Sequence, residues 1–152
     1  MTAVTWSPDG SRLASGADDS TVRVWEPTTG TIITTLSGHI GVAWAVAWSP
    51  DGTRLAIGDG GHDGEVLVWD PTTGHTATLS SHTGGVRALE WSPDGTRVAT
   101  AGYDGVVRVS DPHCGARAMY LHLDPSTCMA VSSAGIAIGG PWGIGLIDIV
   151  AN

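Results

Sequence analysis

The chain has 152 residues and carries 15 acidic side chains against seven basic ones, all of them arginine, for a net charge of −8. Such a surface repels a phosphate backbone, and Arg12, Arg23, Arg54, Arg87, Arg97, Arg108 and Arg117 are spread along the chain, so nucleic-acid binding is not expected. With 41% apolar residues and seven Trp the chain is too hydrophobic for disorder, yet no apolar run approaches the ~18 residues of a membrane span.

Met1 leads directly into a strand-like segment, so no secretory leader is expected. Val4-Thr5-Trp6 is short and rich in β-branched and aromatic residues, as strands are. Ser7-Pro8-Asp9-Gly10 then supplies turn chemistry: Pro presets φ, Asp bonds the local backbone, and Gly accepts a positive φ. Residues 12–15, 22–25 and 31–36 read as three further strands, with Pro27-Thr28-Thr29-Gly30 at the corner before the last. The whole order then repeats. WSPDGSRLASG at Trp6 returns as WSPDGTRLAIG at Trp48 and WSPDGTRVATAG at Trp91, steps of 42 and 43 residues. VRVWEPTTG around Trp25 returns as VLVWDPTTG around Trp69 and VRVSDPHCG around Ser110, and Gly38-His39 returns as Ser81-His82. Three markers in one phase specify a repeat architecture built from four-stranded antiparallel units. Beyond them, residues 127–131, 135–139 and 144–149 echo the pattern with three strands.

These markers resemble the WD-repeat family, whose repeats carry Gly-His ahead of the first strand and Trp-Asp at the end of the third. Trp69-Asp70 is the full dipeptide, Trp25-Glu26 is close to it, and Ser110-Asp111 has lost the Trp. The resemblance implies an all-β chain, one β-propeller region over residues 1–152, with about four four-stranded antiparallel blades at roughly 1–37, 38–80, 81–121 and 122–152, the last incomplete. It also implies a buried network in each blade, joining a His, an Asp in a turn, a hydroxyl on the second strand and the Trp of the third. His39 and His82, Asp19, Asp63 and Asp104, Ser15 and Thr100, and Trp25 and Trp69 match those places. Blade one lacks its His, Ile57 stands at the hydroxyl position of blade two and blade three lacks its Trp, so no blade holds the full set. Trp6, Trp48 and Trp91 hold equivalent positions and are expected in the core.

A blade suited to a seven-bladed ring spans about 50°, so four blades cover only about 200°. A partial propeller completed by upstream blades of a longer chain is therefore expected, with a homodimer that completes the ring, or distorted closure of four blades, as the alternatives.

Chemistry is sparse. The His, Asp and hydroxyl groups recur from blade to blade, which suits a structural duty, and nothing singles out one Ser as a nucleophile. No close metal-ligand spacing occurs among six His and two Cys, and the Gly-rich residues 58–64 lack a following Lys, so neither metal nor cofactor is expected. Cys114 and Cys128 read as buried, reduced thiols, which implies a cytoplasmic chain. Function then falls to the rim loops before inner strands and between second and third strands, which carry Trp44, Arg87, Tyr103, His62 and Asp18. Trp44 and Trp142 stand apart from the repeated tryptophans and are candidate aromatic anchors. The expected function is a non-catalytic scaffold, not an enzyme, that binds a protein or peptide partner. The alternative is the C-terminal sensor or autoinhibitory propeller piece of a bacterial signalling NTPase or kinase.

Overall fold

Each repeat folds as its period-two segments and turns dictate. In a computed structural model, residues 1–38, 41–113, 117–122, 128–133, 135–140 and 143–147 are described. His39, Cys114 and Trp142, singled out above, lie outside them. The first sheet is formed by β1 (Ala3–Trp6), β2 (Leu13–Gly16), β3 (Thr21–Glu26) and β4 (Thr31–Ser37), in that order. The second contains β5 (Ala43–Trp48), β6 (Leu55–Asp59), β7 (Glu65–Trp69) and β8 (Thr76–Ser81). The third contains β9 (Val86–Trp91), β10 (Val98–Gly102), β11 (Val106–Ser110) and β12 (Arg117–His122). The fourth sheet has three strands among the described residues: β13 (Cys128–Ser132), β14 (Gly135–Gly140) and β15 (Gly143–Ile147). All neighbours are antiparallel, so each sheet is one meandering blade.

The turn between the first and second strands is made the same way three times. Ser7, Ser49 and Ser92 donate their hydroxyls to Asp9, Asp51 and Asp94 at 2.6, 2.5 and 2.5 Å. The same carboxylates accept the backbone N–H of Ser11, Thr53 and Thr96. Gly10, Gly52 and Gly95 close the turns at φ of 71, 68 and 70°, a region an L side chain enters only with strain. Bonds from Ser49 and Thr53, aided by Arg54, hold the Asp51 carboxyl down at about 2, against the opposing pull of burial.

The core lies between blades. Adjacent residues of one strand point to opposite faces. On β6, Leu55 and Ile57 join Trp48 and Trp69 against Ala14, Val22 and Val24 of the first blade. Ala56, with Val66 and Val68, turns the other way onto Val86, Leu89 and Trp91 of the third. The third junction packs Ala99, Ala101, Val107 and Val109 on Ile136 and Ile138. Blades therefore stack through their inner strands, β1 on β5, β5 on β9 and β9 on β13. They approach closely at the end of the second strand. A Cβ on Gly16 would lie 2.6 Å from the Ala43 carbonyl oxygen, and one on Gly58 would lie 2.6 Å from Val86 Cγ1.

One expectation fails here. Trp48 and Trp91 are buried, but Trp6 is 56% exposed. The indole at this position packs on the preceding blade, and no described residue lies beyond the first. Val4 shares that open face, and Ile144 and Leu146 are equally bare on the fourth blade. No helix among the described residues is long and apolar enough to cross a membrane.

Candidate functional site

A polar network is buried in the third blade. His82 sits just ahead of β9, Asp104 in the turn between β10 and β11, and Thr100 on β10. His82 Nδ1 lies 2.9 Å from Asp104 Oδ1, and Nε2 lies 2.8 Å from Thr100 Oγ1. Arg108 Nη1 also lies 2.5 Å from His82 Nδ1, so this nitrogen meets both an acceptor, Asp104, and a donor, Arg108, and the tautomer decides which of them it bonds. Asp104 also takes Arg108 Nη1 at 2.9 Å and the backbone N–H of Thr83 and Val106, each at 3.1 Å. The His82 side chain is fully buried, and those of Asp104 and Arg108 are 6% and 11% exposed.

Environment sets the protonation states. Burial is the main force holding the His82 imidazole below its ordinary value, and the nearby Arg108 cation adds to it, against the pull of Asp104. For Asp104, burial acts to raise the carboxyl. The bonds from His82, Arg108 and Thr83 outweigh that and hold it at about 2. His82 and Thr100 are sealed from solvent, so this His–Asp–hydroxyl set cannot meet a substrate.

The other blades carry fragments of the same network. In the first, Trp25 Nε1 donates to Ser15 Oγ at 2.8 Å, while Asp19 pairs with Arg23 at 2.9 Å near solvent. In the second, Asp63 is exposed, Ile57 occupies the hydroxyl position, and Trp69 is buried. Arg108 was not anticipated. Its signal is the spacing Asp104 to Arg108, repeated as Asp19 to Arg23, with the two partners facing each other across a turn and the strand after it. Ser110 stands where the third Trp would be. It is 1% exposed, and among the described residues its hydroxyl has no hydrogen-bond partner. Ser110→Ala is therefore expected to keep or raise stability, by up to about 1 kcal/mol, in urea unfolding. A clear loss would mean that the hydroxyl is bonded in solution.

The rim is different in kind. The Trp44 and Tyr103 rings meet edge to face, with centroids 5.8 Å apart and planes at 60°. Arg87 Cζ lies 4.6 Å from the centre of the Tyr103 ring. Trp44 is 39% and Tyr103 47% exposed. Two β-bulges present this trio. The register of β5 with β6 passes from Ala43 to Ala45 and leaves Trp44 over. That of β9 with β10 passes from Val86 to Ala88 and leaves Arg87 over. A bulge re-aims the extra side chain, here toward the rim. Gly60 lies so close under the Trp44 ring that any Cβ there would collide with it. The platform thus bridges the second and third blades on a rigid support. Asp18 and His62 are exposed in their own turns, and among the described residues no hydrogen bond or ring contact joins either to the trio. No group of three or more His, Cys, Asp or Glu suited to a metal ion occurs among the described residues.

Four consecutive antiparallel meanders, stacked by their inner strands and carrying a His–Asp–hydroxyl network, define a repeat protein of the propeller class. Residues 1–26, 30–70 and 74–111 match the family described as WD domain, G-beta repeat, and the chain belongs to it. Individual relatives match over shorter stretches. The chain is 49% identical over 37 residues to the human U5 small nuclear ribonucleoprotein 40 kDa protein, covering 24% of this chain and 10% of that protein. It is 38% identical over 70 residues to the Periodic tryptophan protein 2 homolog of Dictyostelium discoideum, covering 46% of this chain and 8% of that one. The Periodic tryptophan protein 2 of Arabidopsis thaliana is 34% identical over 70 residues, again 46% and 8%. The chain thus spans about a tenth of the length of these relatives.

Proposed function

We propose that the chain is a non-catalytic scaffold whose rim binds a protein or peptide partner through Trp44, Tyr103 and Arg87. The observation that carries this reading is the contiguous aromatic–guanidinium cluster, half exposed and held by two bulges. Aromatic rings and Arg dominate binding hot spots because they offer large rigid area with a polar handle. Arg87, stacked on Tyr103, keeps its N–H edge for a partner's carboxylate. Asp18 and His62, exposed in their own turns, would add secondary contacts. One relative is named for a ribonucleoprotein, and in an assembly of that kind the net charge of −8 favours a protein surface over an RNA backbone. We place the chain in the cytoplasm, where Cys128, exposed on its strand rather than buried as the sequence suggests, stays a thiol.

Peptides selected on the purified chain from a random display library provide the test. Trp44→Ala and Tyr103→Ala are each expected to weaken the selected peptides at least ~10-fold, the effect of ~1.4 kcal/mol lost at a hot spot. Both variants remove partly exposed rings and should stay folded. Selected peptides that bind both variants at full strength would move the site away from this rim.

A further inference from the structure

The three blade junctions are not alike, and the difference lies at the Ser-Pro-Asp-Gly turns, the end of the strands opposite the aromatic rim. At the first junction, Arg12 of the first blade lies over the Trp48 ring of the second, 4.8 Å from its centre, and donates to the Gly52 carbonyl at 2.7 Å. At the second, Arg54 of the second blade lies over the Trp91 ring of the third at 5.4 Å, and Trp91 Nε1 donates to the Ala47 carbonyl at 3.1 Å. Each junction is sealed by an indole of the following blade beneath an arginine of the preceding one. Trp48 and Trp91 are 7% and 6% exposed as a result.

The third junction has the arginine and lacks the indole. Arg97 immediately precedes β10, as Arg54 precedes β6. Trp91 is paired with Val98, the first residue of β10, and the matching pair in the fourth blade is Val131 with Ile136. Val131 therefore stands in the tryptophan's place. Its backbone N–H is held by the Glu90 carboxylate at 2.7 Å, so the strand is docked on the third blade even though the ring is missing. Among the described residues, no ring lies under Arg97 and no carboxylate pairs with it. A cleft of about 440 Å³ opens at this place, lined by Pro93, Asp94 and Arg97 on one side and Ser132 and Ser133 on the other. That volume falls in the range of small-ligand pockets, roughly 300–1,000 Å³.

We propose that this cleft is a binding site for an aromatic side chain of a protein partner, an indole above all, received beneath Arg97 where the repeat has lost its own tryptophan. The argument rests on the chain's two other junctions, which show the arrangement that the same backbone and the same arginine make with an indole. The guanidinium faces the π-system electrostatically, a contact worth more as water is excluded. Asp94 can accept from the indole N–H, and the two serines at the mouth can accept from or donate to the peptide on either side of it. The site is separate from the rim trio, so it stands or falls independently of that reading.

The test is a titration of the full chain with N-acetyl-tryptophanamide, followed by amide chemical shifts, with N-acetyl-alaninamide as the control. The expected result is saturable shifts at millimolar concentration, centred on Thr96, Arg97, Ser132 and Ser133, given by the tryptophan probe alone. Val131→Trp should fill the cleft from within, abolish those shifts and raise the melting temperature by a few degrees. Arg97→Gln, at a partly exposed side chain, should weaken the probe at least 3-fold with the fold unchanged, and it keeps the test decisive should Val131→Trp fold poorly. Shifts that are absent, that the alanine probe reproduces, or that survive Arg97→Gln undiminished overturn the proposal.

Discussion

Asp104→Ala is expected to destabilise the chain by about 3–5 kcal/mol, the range for breaking a buried pair by removing one partner. The substitution takes a partner from two groups at once. His82 loses the carboxylate beside its Nδ1, and Arg108 loses the same carboxylate in a site where its side chain is 11% exposed. The backbone N–H groups of Thr83 and Val106 lose the same oxygens, so the turn and the entry to β9 loosen together. Unfolding in urea measures the loss, and a cost under about 1 kcal/mol would mean that the network only decorates the blade. The network also sets the pH dependence. The folded His82 pKa lies below the ordinary 6.5, so the unfolded chain binds the proton first. Stability is thus full above about pH 6.5 and declines as pH falls below it. Asp104 adds a second loss further down, as pH falls from its ordinary 3.8 through about 2. The melting temperature should therefore drop between pH 7 and 5, and His82→Gln should flatten that slope. A slope that His82→Gln leaves unchanged would assign it to other groups.

Much of this was legible in the sequence because a repeat states its own alignment. Three copies of one turn fixed where strands start, and alternation fixed which residues enter a junction. The resemblance to WD repeats implies a network at His82, Asp104 and Thr100, and the structure brings those three side chains within hydrogen-bonding distance. What phase cannot supply is geometry that breaks it. The bulges that leave Trp44 and Arg87 over arise from one residue more on one strand than on its partner, and no residue type marks them. Tyr103, Trp44 and Arg87 were each named as rim residues, but their contact depends on two blades meeting, which a one-dimensional pattern does not encode. Trp6 fails for a related reason. Its position in the repeat matches Trp91, but burial depends on a neighbouring blade rather than on the strand that bears it. Nothing in the sequence marks Arg108 as a buried part of the network, because Asp and Arg four apart in a turn-and-strand segment look like surface residues until the fold buries them.

Trp69→Ala is the second substitution expected to cost about 3–5 kcal/mol, here as a large cavity in a core that cannot collapse around it. The Trp69 indole is 2% exposed and lies among Trp48, Leu55, Ile57 and the first blade's Val22, Val24 and Leu36. Its counterpart Trp25 is held differently. It is half-buried and anchored by the bond to Ser15, whereas the second blade offers Ile57 in place of that hydroxyl. Burial rather than hydrogen bonding is thus what Trp69 contributes, and Trp25→Ala should cost distinctly less. Equal losses in the two variants would mean that the Ser15 bond, not area, sets the value of this position. The comparison also separates scaffold from site. The cluster around Trp69 spans the first two blades and includes Ala43 of β5, the strand whose bulge presents Trp44. Domains of this size are stable by only about 5–15 kcal/mol, so Trp69→Ala leaves a chain near its unfolding threshold. Peptide binding by that variant should fall only in proportion to the unfolded fraction and return on cooling or with added osmolyte. Trp44→Ala should lose binding while fully folded, and no stabilising condition should restore it.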